Sequence, residues 1–80
     1  MEHAVDALGA LAQDTRLAVF RHLVEAGHDG RRAGLIADAL GLPNATLSFH
    51  LSQLRQAGLV SARREGRRII YAADYARMTA

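Results

Sequence analysis

The chain has 80 residues, half of them apolar, with two Phe, two Tyr, no Trp and no Cys. That length allows one domain around one small core of Leu, Ala, Val and Ile, excludes a separate substrate-binding domain, and leaves a modest stability that a partner subunit would raise. The formal charge of +2 hides an asymmetry: all ten basic residues are Arg, and Arg63, Arg64, Arg67 and Arg68 fall within six positions.

In chain order, the opening MEHAVDALGALAQD lacks the basic leading segment of a signal peptide, and no run reaches membrane-spanning length, so a cytoplasmic location is the default expectation. Val5, Leu8 and Leu11 recur at helical spacing and predict a first helix, after which Asp14 stands as an N-cap ahead of a second pattern, Leu17, Val19, Phe20, Leu23 and Val24. This second helix is expected to end at Ala26, with Gly27 as a left-handed C-cap. A third, from Arg32 to Leu40, points Leu35, Ile36 and Leu40 inward and closes at Gly41. Pro43 suits the first turn of a fourth, which runs from Asn44 to Gln56 with Gly58 beyond it.

From Leu59 the pattern changes to two extended segments, VSARR and RRIIYA, with Glu65 and Gly66 as the turn of a β-hairpin. A two-residue turn there sets Arg64 opposite Arg67 and Arg63 opposite Arg68. Like charges facing each other destabilise a sheet, and a phosphate backbone laid against the tip would relieve them; a solvated loop is the plainer alternative. Asp74 is placed to cap a last helix, which reads as truncated because only Tyr75 to Ala80 follow.

These elements make one domain over residues 1–80, mainly α with a small β-hairpin. Two short helices joined by Gly41, Leu42 and Pro43 fit a helix-turn-helix, whose second helix projects into the major groove of DNA. Leu47, Leu51 and Leu54 form its inward stripe, leaving Asn44, Thr46, Ser48, Phe49, His50 and Gln53 as candidates to face outward. Short amide and hydroxyl side chains hydrogen-bond to base edges and phosphates. With the arginine hairpin as a wing, the expected fold is a winged helix-turn-helix in the order ααααββα and the expected partner is double-stranded DNA, with no membrane role.

The segment ATLSFHLSQLRQAGLVSARREGRRIIYA resembles the recognition helix and wing of the ArsR/SmtB family of bacterial repressors. The family's Ser-x-His-Leu-x-x-Leu, Ala-Gly-Leu-Val and Arg-Glu-Gly-Arg patterns fall on Ser48, His50, Leu51, Leu54, Ala57 to Val60 and Arg64 to Arg67, with Tyr71 as the strand aromatic. Upstream, Leu8, Leu11, Ala12, Gln13, Thr15, Arg16 and Leu17 match its opening pattern. The resemblance implies a homodimer that binds an imperfect inverted repeat in a promoter and represses until an inducer weakens binding. It also implies dimerisation through the first and last helices, so that Val5, Leu8 and Leu11 serve as an interface stripe or, equally well, as internal core.

The family's metal-sensing cysteines have no counterpart in Arg32-Ala33-Gly34-Leu35-Ile36, and of its Asp, His and Glu site on the last helix only Asp74 is present. His3, His22, His28 and His50 show no spacing that gathers ligands on one face, so no metal site is expected within the chain and no cofactor is evident. His22 reads as a satisfied, partly buried or surface imidazole and His28 as a loop residue. The inducer is open: arsenite or another metal or metalloid would need residues beyond position 80. Catalysis is not expected, because Ser48 and His50 are two apart on a helix with no third group to orient a base. The competing function is a winged-helix module whose helix face meets a protein and whose arginines bind carboxylates.

Overall fold

The computed structural model describes residues 13–76. They form three helices and a three-stranded sheet: α1 (Asp14–Ala26), β1 (Arg31–Arg32), α2 (Ala33–Leu40), α3 (Asn44–Gln56), β2 (Val60–Glu65) and β3 (Arg68–Ala73). The expected first helix, with Val5, Leu8 and Leu11, lies outside the described residues, as does the expected last helix beyond Ala76.

Helix α1 is capped one residue earlier than its spacing predicts. Gln13 is the N-cap, in extended conformation, and its carbonyl accepts the Leu17 N–H at 2.9 Å. Asp14 is therefore not the cap: its carboxylate sits in the first turn, where the positive end of the helix dipole favours it. Val19 and Leu23 are fully buried, as their spacing requires. The helix ends at Ala26 as expected, but Gly27 (φ 74°, ψ −162°) leaves it with a positive φ outside the left-handed helical region.

Arg32, expected to open a helix, instead joins Arg31 in an edge strand paired with β3, Arg31 opposite Tyr71 and Arg32 opposite Ile70. Helix α2 begins at Ala33 and buries Ile36 and Ala37, with Ala33 and Leu40 packed at the margin of the core. Those four positions follow i, i+3, i+4, i+7, one helical face. Leu35 falls on its shoulder and is 43 % exposed, against the inward placement expected of it.

Helices α2 and α3 end alike. Gly41 (φ 66°) lets Leu42 N–H reach back to Ala37 O at 3.0 Å, and Gly58 (φ 78°) lets Leu59 N–H reach Leu54 O at 3.0 Å. Each glycine turns the chain and each following leucine packs on the core, the Schellman arrangement with its apolar contact. Pro43 is the N-cap of α3 rather than part of its first turn, and its carbonyl accepts the Leu47 N–H.

The sheet is antiparallel in the order β1-β3-β2, so the expected hairpin gains a third strand. Its turn is Gly66-Arg67, one residue later than expected, which sets Glu65 opposite Arg68, Arg64 opposite Ile69 and Arg63 opposite Ile70. No arginine directly faces another across β2 and β3. Gly66 (φ 62°) is the first central residue and Arg67 has a negative φ, the combination of a type II′ turn, which matches the strands' twist.

Gly30 joins the loop after α1 to β1 with φ +70°, and a Cβ there would collide with the Tyr71 carbonyl oxygen and crowd an Ile70 methyl. Gly27 and Gly41 share the positive φ but face open space. Gly30→Ala is therefore expected to lower the unfolding free energy by about 1–3 kcal/mol more than Gly27→Ala or Gly41→Ala, from overpacking against backbone, read as a lower urea midpoint at unchanged slope.

Candidate nucleic-acid interface

Helix α3 is both part of the core and the candidate reading surface. Leu47, Leu51 and Leu54 are at most 1 % exposed, packed among Val19, Leu23, Ile36 and Val60. Opposite them Asn44, Ser48 and Phe49 are exposed, and Thr46 and Gln53 flank them half-buried. Ser52 and Arg55 extend the same outward row. Sequence reasoning misses both, although they follow Ser48 at i+4 and i+7, the spacing that defines a face.

His50 does not face outward. It is 6 % exposed, set between Leu47 and Leu54 on the inward side, and its Nδ1 accepts a hydrogen bond from Arg16 Nε–H at 3.2 Å. Arg16, on the first turn of α1, is itself 5 % exposed, and its guanidinium lies 5.6 Å from the Phe49 ring centroid. The Phe49 and His50 rings meet edge to face at 5.6 Å. One cation thus holds two consecutive residues of α3, one through a ring nitrogen and one through a ring face.

This bond requires a neutral His50 with its proton on Nε2. Burial, and then the neighbouring Arg16 charge, push its pKa below the ordinary 6.5.

On the sheet, Arg64, Arg67 and Arg68 are exposed and extend from the wing without a side-chain hydrogen bond or ion pair among the described residues. Arg63 differs from these three. Its Nη2 donates to Asp29 O at 2.7 Å, its Nη1 to His28 O at 3.3 Å and its Nε to Glu65 at 2.7 Å, so it staples the wing to the loop before β1. The exposed pair with Glu65 contributes little, whereas the two carbonyl bonds order a loop. Tyr75 closes the same loop, its hydroxyl donating to Val24 O at 2.8 Å and its ring 4.7 Å from His28.

His28 is a loop residue, as expected. His22 is half-buried, but its Nε2 is buried without a partner among the described residues, so the satisfied imidazole expected there is not found. Among the described residues no three His, Asp or Glu side chains lie close enough to hold a metal ion, and no helix is long and apolar enough to cross a membrane.

A model of a helix-turn-helix domain family matches residues 11–62. The nodulation protein NolR of Rhizobium meliloti is 38 % identical over 73 residues, which cover 91 % of this chain and 57 % of that protein. The transcriptional repressor SmtB of Mycobacterium tuberculosis is 35 % identical over 71 residues, 89 % of this chain and 50 % of that repressor. Among solved structures, the homodimeric winged helix-turn-helix DNA-binding domain of a possible ArsR-family regulator from Mycobacterium bovis superimposes with a TM-score of 0.83 at 34 % identity, covering 91 % of this chain and 65 % of that one. The chain thus spans only about half the length of the two named relatives.

A neutral buried His50 makes stability depend on pH in one direction. Between its lowered folded pKa and the unfolded value near 6.5 the unfolded chain binds more protons, so stability falls as pH drops through that window. Urea unfolding of the wild type from pH 7.5 down to 5 is expected to show this decline. His50→Gln, which keeps an acceptor for Arg16 and does not titrate, is expected to remove His50's share, so parallel profiles for the two proteins would refute the assignment.

Proposed function

The chain belongs to the ArsR/SmtB family of winged helix-turn-helix transcriptional regulators, and we propose that it represses by binding an inverted-repeat operator as a homodimer. The observation that carries this reading is the pairing of a polar outward face on α3, led by Asn44, Ser48 and Gln53, with a wing of exposed Arg64, Arg67 and Arg68. Amide and hydroxyl groups at the first turns of a helix in the major groove read base edges, while arginines at a hairpin tip hold the backbone or the adjacent minor groove. Two such helices, one from each protomer, would meet half-sites about 34 Å apart on one face of the duplex.

Arg63 supports the wing, with three of its five N–H groups engaged within the chain. His50 supports the reading helix from behind. Relief of repression by arsenite or another metal or metalloid would use ligands outside the described residues. The competing role, docking against a protein, would call for an apolar outward face on α3; that face carries a single large apolar side chain, the exposed Phe49, beside the polar Asn44, Ser48 and Ser52.

Titration against DNA from the promoter region of its own gene at several salt concentrations tests this reading. Wild-type affinity is expected to fall steeply with salt, and replacing Arg64, Arg67 and Arg68 by Ala to weaken binding to all sequences, lowering the log–log slope by about 1 for each phosphate no longer neutralised. Ser48→Ala or Gln53→Ala is expected to change base preference instead, by about 1–3 kcal/mol at the base pair concerned. A flat salt profile for the wild type would sink the proposal.

A further inference from the structure

Strand β1 carries an exposed arginine pair that neither the recognition helix nor the wing accounts for, and we infer that Arg31 and Arg32 form a third DNA-contacting element that grips the sugar-phosphate backbone. The inference rests on the DNA-binding reading above. Its basis is placement. The pairing of β1 with β3 sets Arg32 beside Ile70, two positions along β3 from Arg68 and on the same sheet face. Diagonal neighbours in an antiparallel pair lie about 7–8 Å apart, so Arg32 and Arg68 add their charges at one edge of the wing. Arg31 stands beside Tyr71 on the other face, the one that carries Arg64 further toward the tip.

Five exposed arginines, Arg31, Arg32, Arg64, Arg67 and Arg68, therefore share one small sheet and its turn, and none has a side-chain hydrogen bond or ion pair among the described residues. The one carboxylate on that sheet, Glu65, is held by Arg63. Asp29, in the preceding loop, is exposed and presents its main-chain carbonyl to Arg63. Such a cluster fits a polyanion with regularly spaced phosphates.

The pair also sits where a duplex would pass. It leads directly into α2, the first helix of the helix-turn-helix, and in that geometry the first helix crosses the DNA backbone while the second enters the groove. Phosphates on the strand that α2 crosses come within reach of guanidinium groups at its entry. Strand β1 then contributes affinity without reading sequence, because phosphate contacts position a protein and carry no base information.

The test compares wild type, R31S/R32S and R31K/R32K. Serine suits the N-cap position that Arg32 occupies, so the double serine variant keeps the start of α2. Each protein is titrated by fluorescence anisotropy against a short random-sequence duplex and against the promoter fragment over a range of salt. R31S/R32S is expected to lower the log–log slope by about 1 to 2 on both DNAs with base preference unchanged, and R31K/R32K to restore it, since counterion release follows charge. A slope equal to wild type for R31S/R32S, or a decrease that lysine does not restore, overturns the inference while the DNA-binding reading stands. An absence of salt-dependent binding by the wild type overturns both.

Discussion

The rest of the structure depends on the way α3 is seated. An isolated helix of 13 residues is marginal in water, so α3 exists because Leu47, Leu51 and Leu54 are taken into the core between α1, α2 and the sheet. Burying each such leucine stabilises the fold by roughly 1.5–3 kcal/mol. Rotating the helix about its axis would expose one or more of them, a cost large against the total stability of so small a domain. The outward residues are thus held in one direction by side chains on the opposite, buried side of the helix. What faces solvent on α3 is decided by what does not.

The buried Arg16–His50 contact adds direction to that seating. Apolar packing is tolerant of small slips, whereas a 3.2 Å bond between a guanidinium and one ring nitrogen is not. An arginine at 5 % exposure carries a desolvation cost, and here it meets a neutral acceptor and an aromatic face rather than a carboxylate. Such a contact specifies geometry more than it stabilises. The first turn of α1 and the middle of α3 are consequently tied through one side chain, which bonds His50 and lies beside the Phe49 ring.

Much of this is legible in the sequence, and the exceptions have identifiable causes. Helical spacing locates α1, α2 and α3 to within a residue or so and identifies the leucine stripe, because apolar periodicity is the driving force itself. Polarity misplaces His50, although it stands three residues after Leu47 and four before Leu54. Its partner Arg16, 34 residues away, leaves no local trace. Strand β1 is invisible because two residues have no period, and its pairing is decided by β3. The wing is recognisable, but Gly66 fits either central position of a tight turn, and a one-residue shift exchanges every facing pair.

The arginines show why counting charge along the chain falls short of describing a binding surface. In three dimensions they separate by role: Arg16 is buried beneath the reading helix, Arg63 is bonded to two loop carbonyls, and the exposed ones on the sheet keep their donors for solvent or phosphate. The first two make the others usable. A two-stranded hairpin is only marginally stable in water, so a wing of β2 and β3 alone would pay for its order when it met DNA. Pairing β1 along the free edge of β3 and stapling β2 to the loop through Arg63 order the wing during folding instead. The arginine tip is thereby held with its backbone geometry already set, and its exposed side chains take no part in shaping the element that carries them.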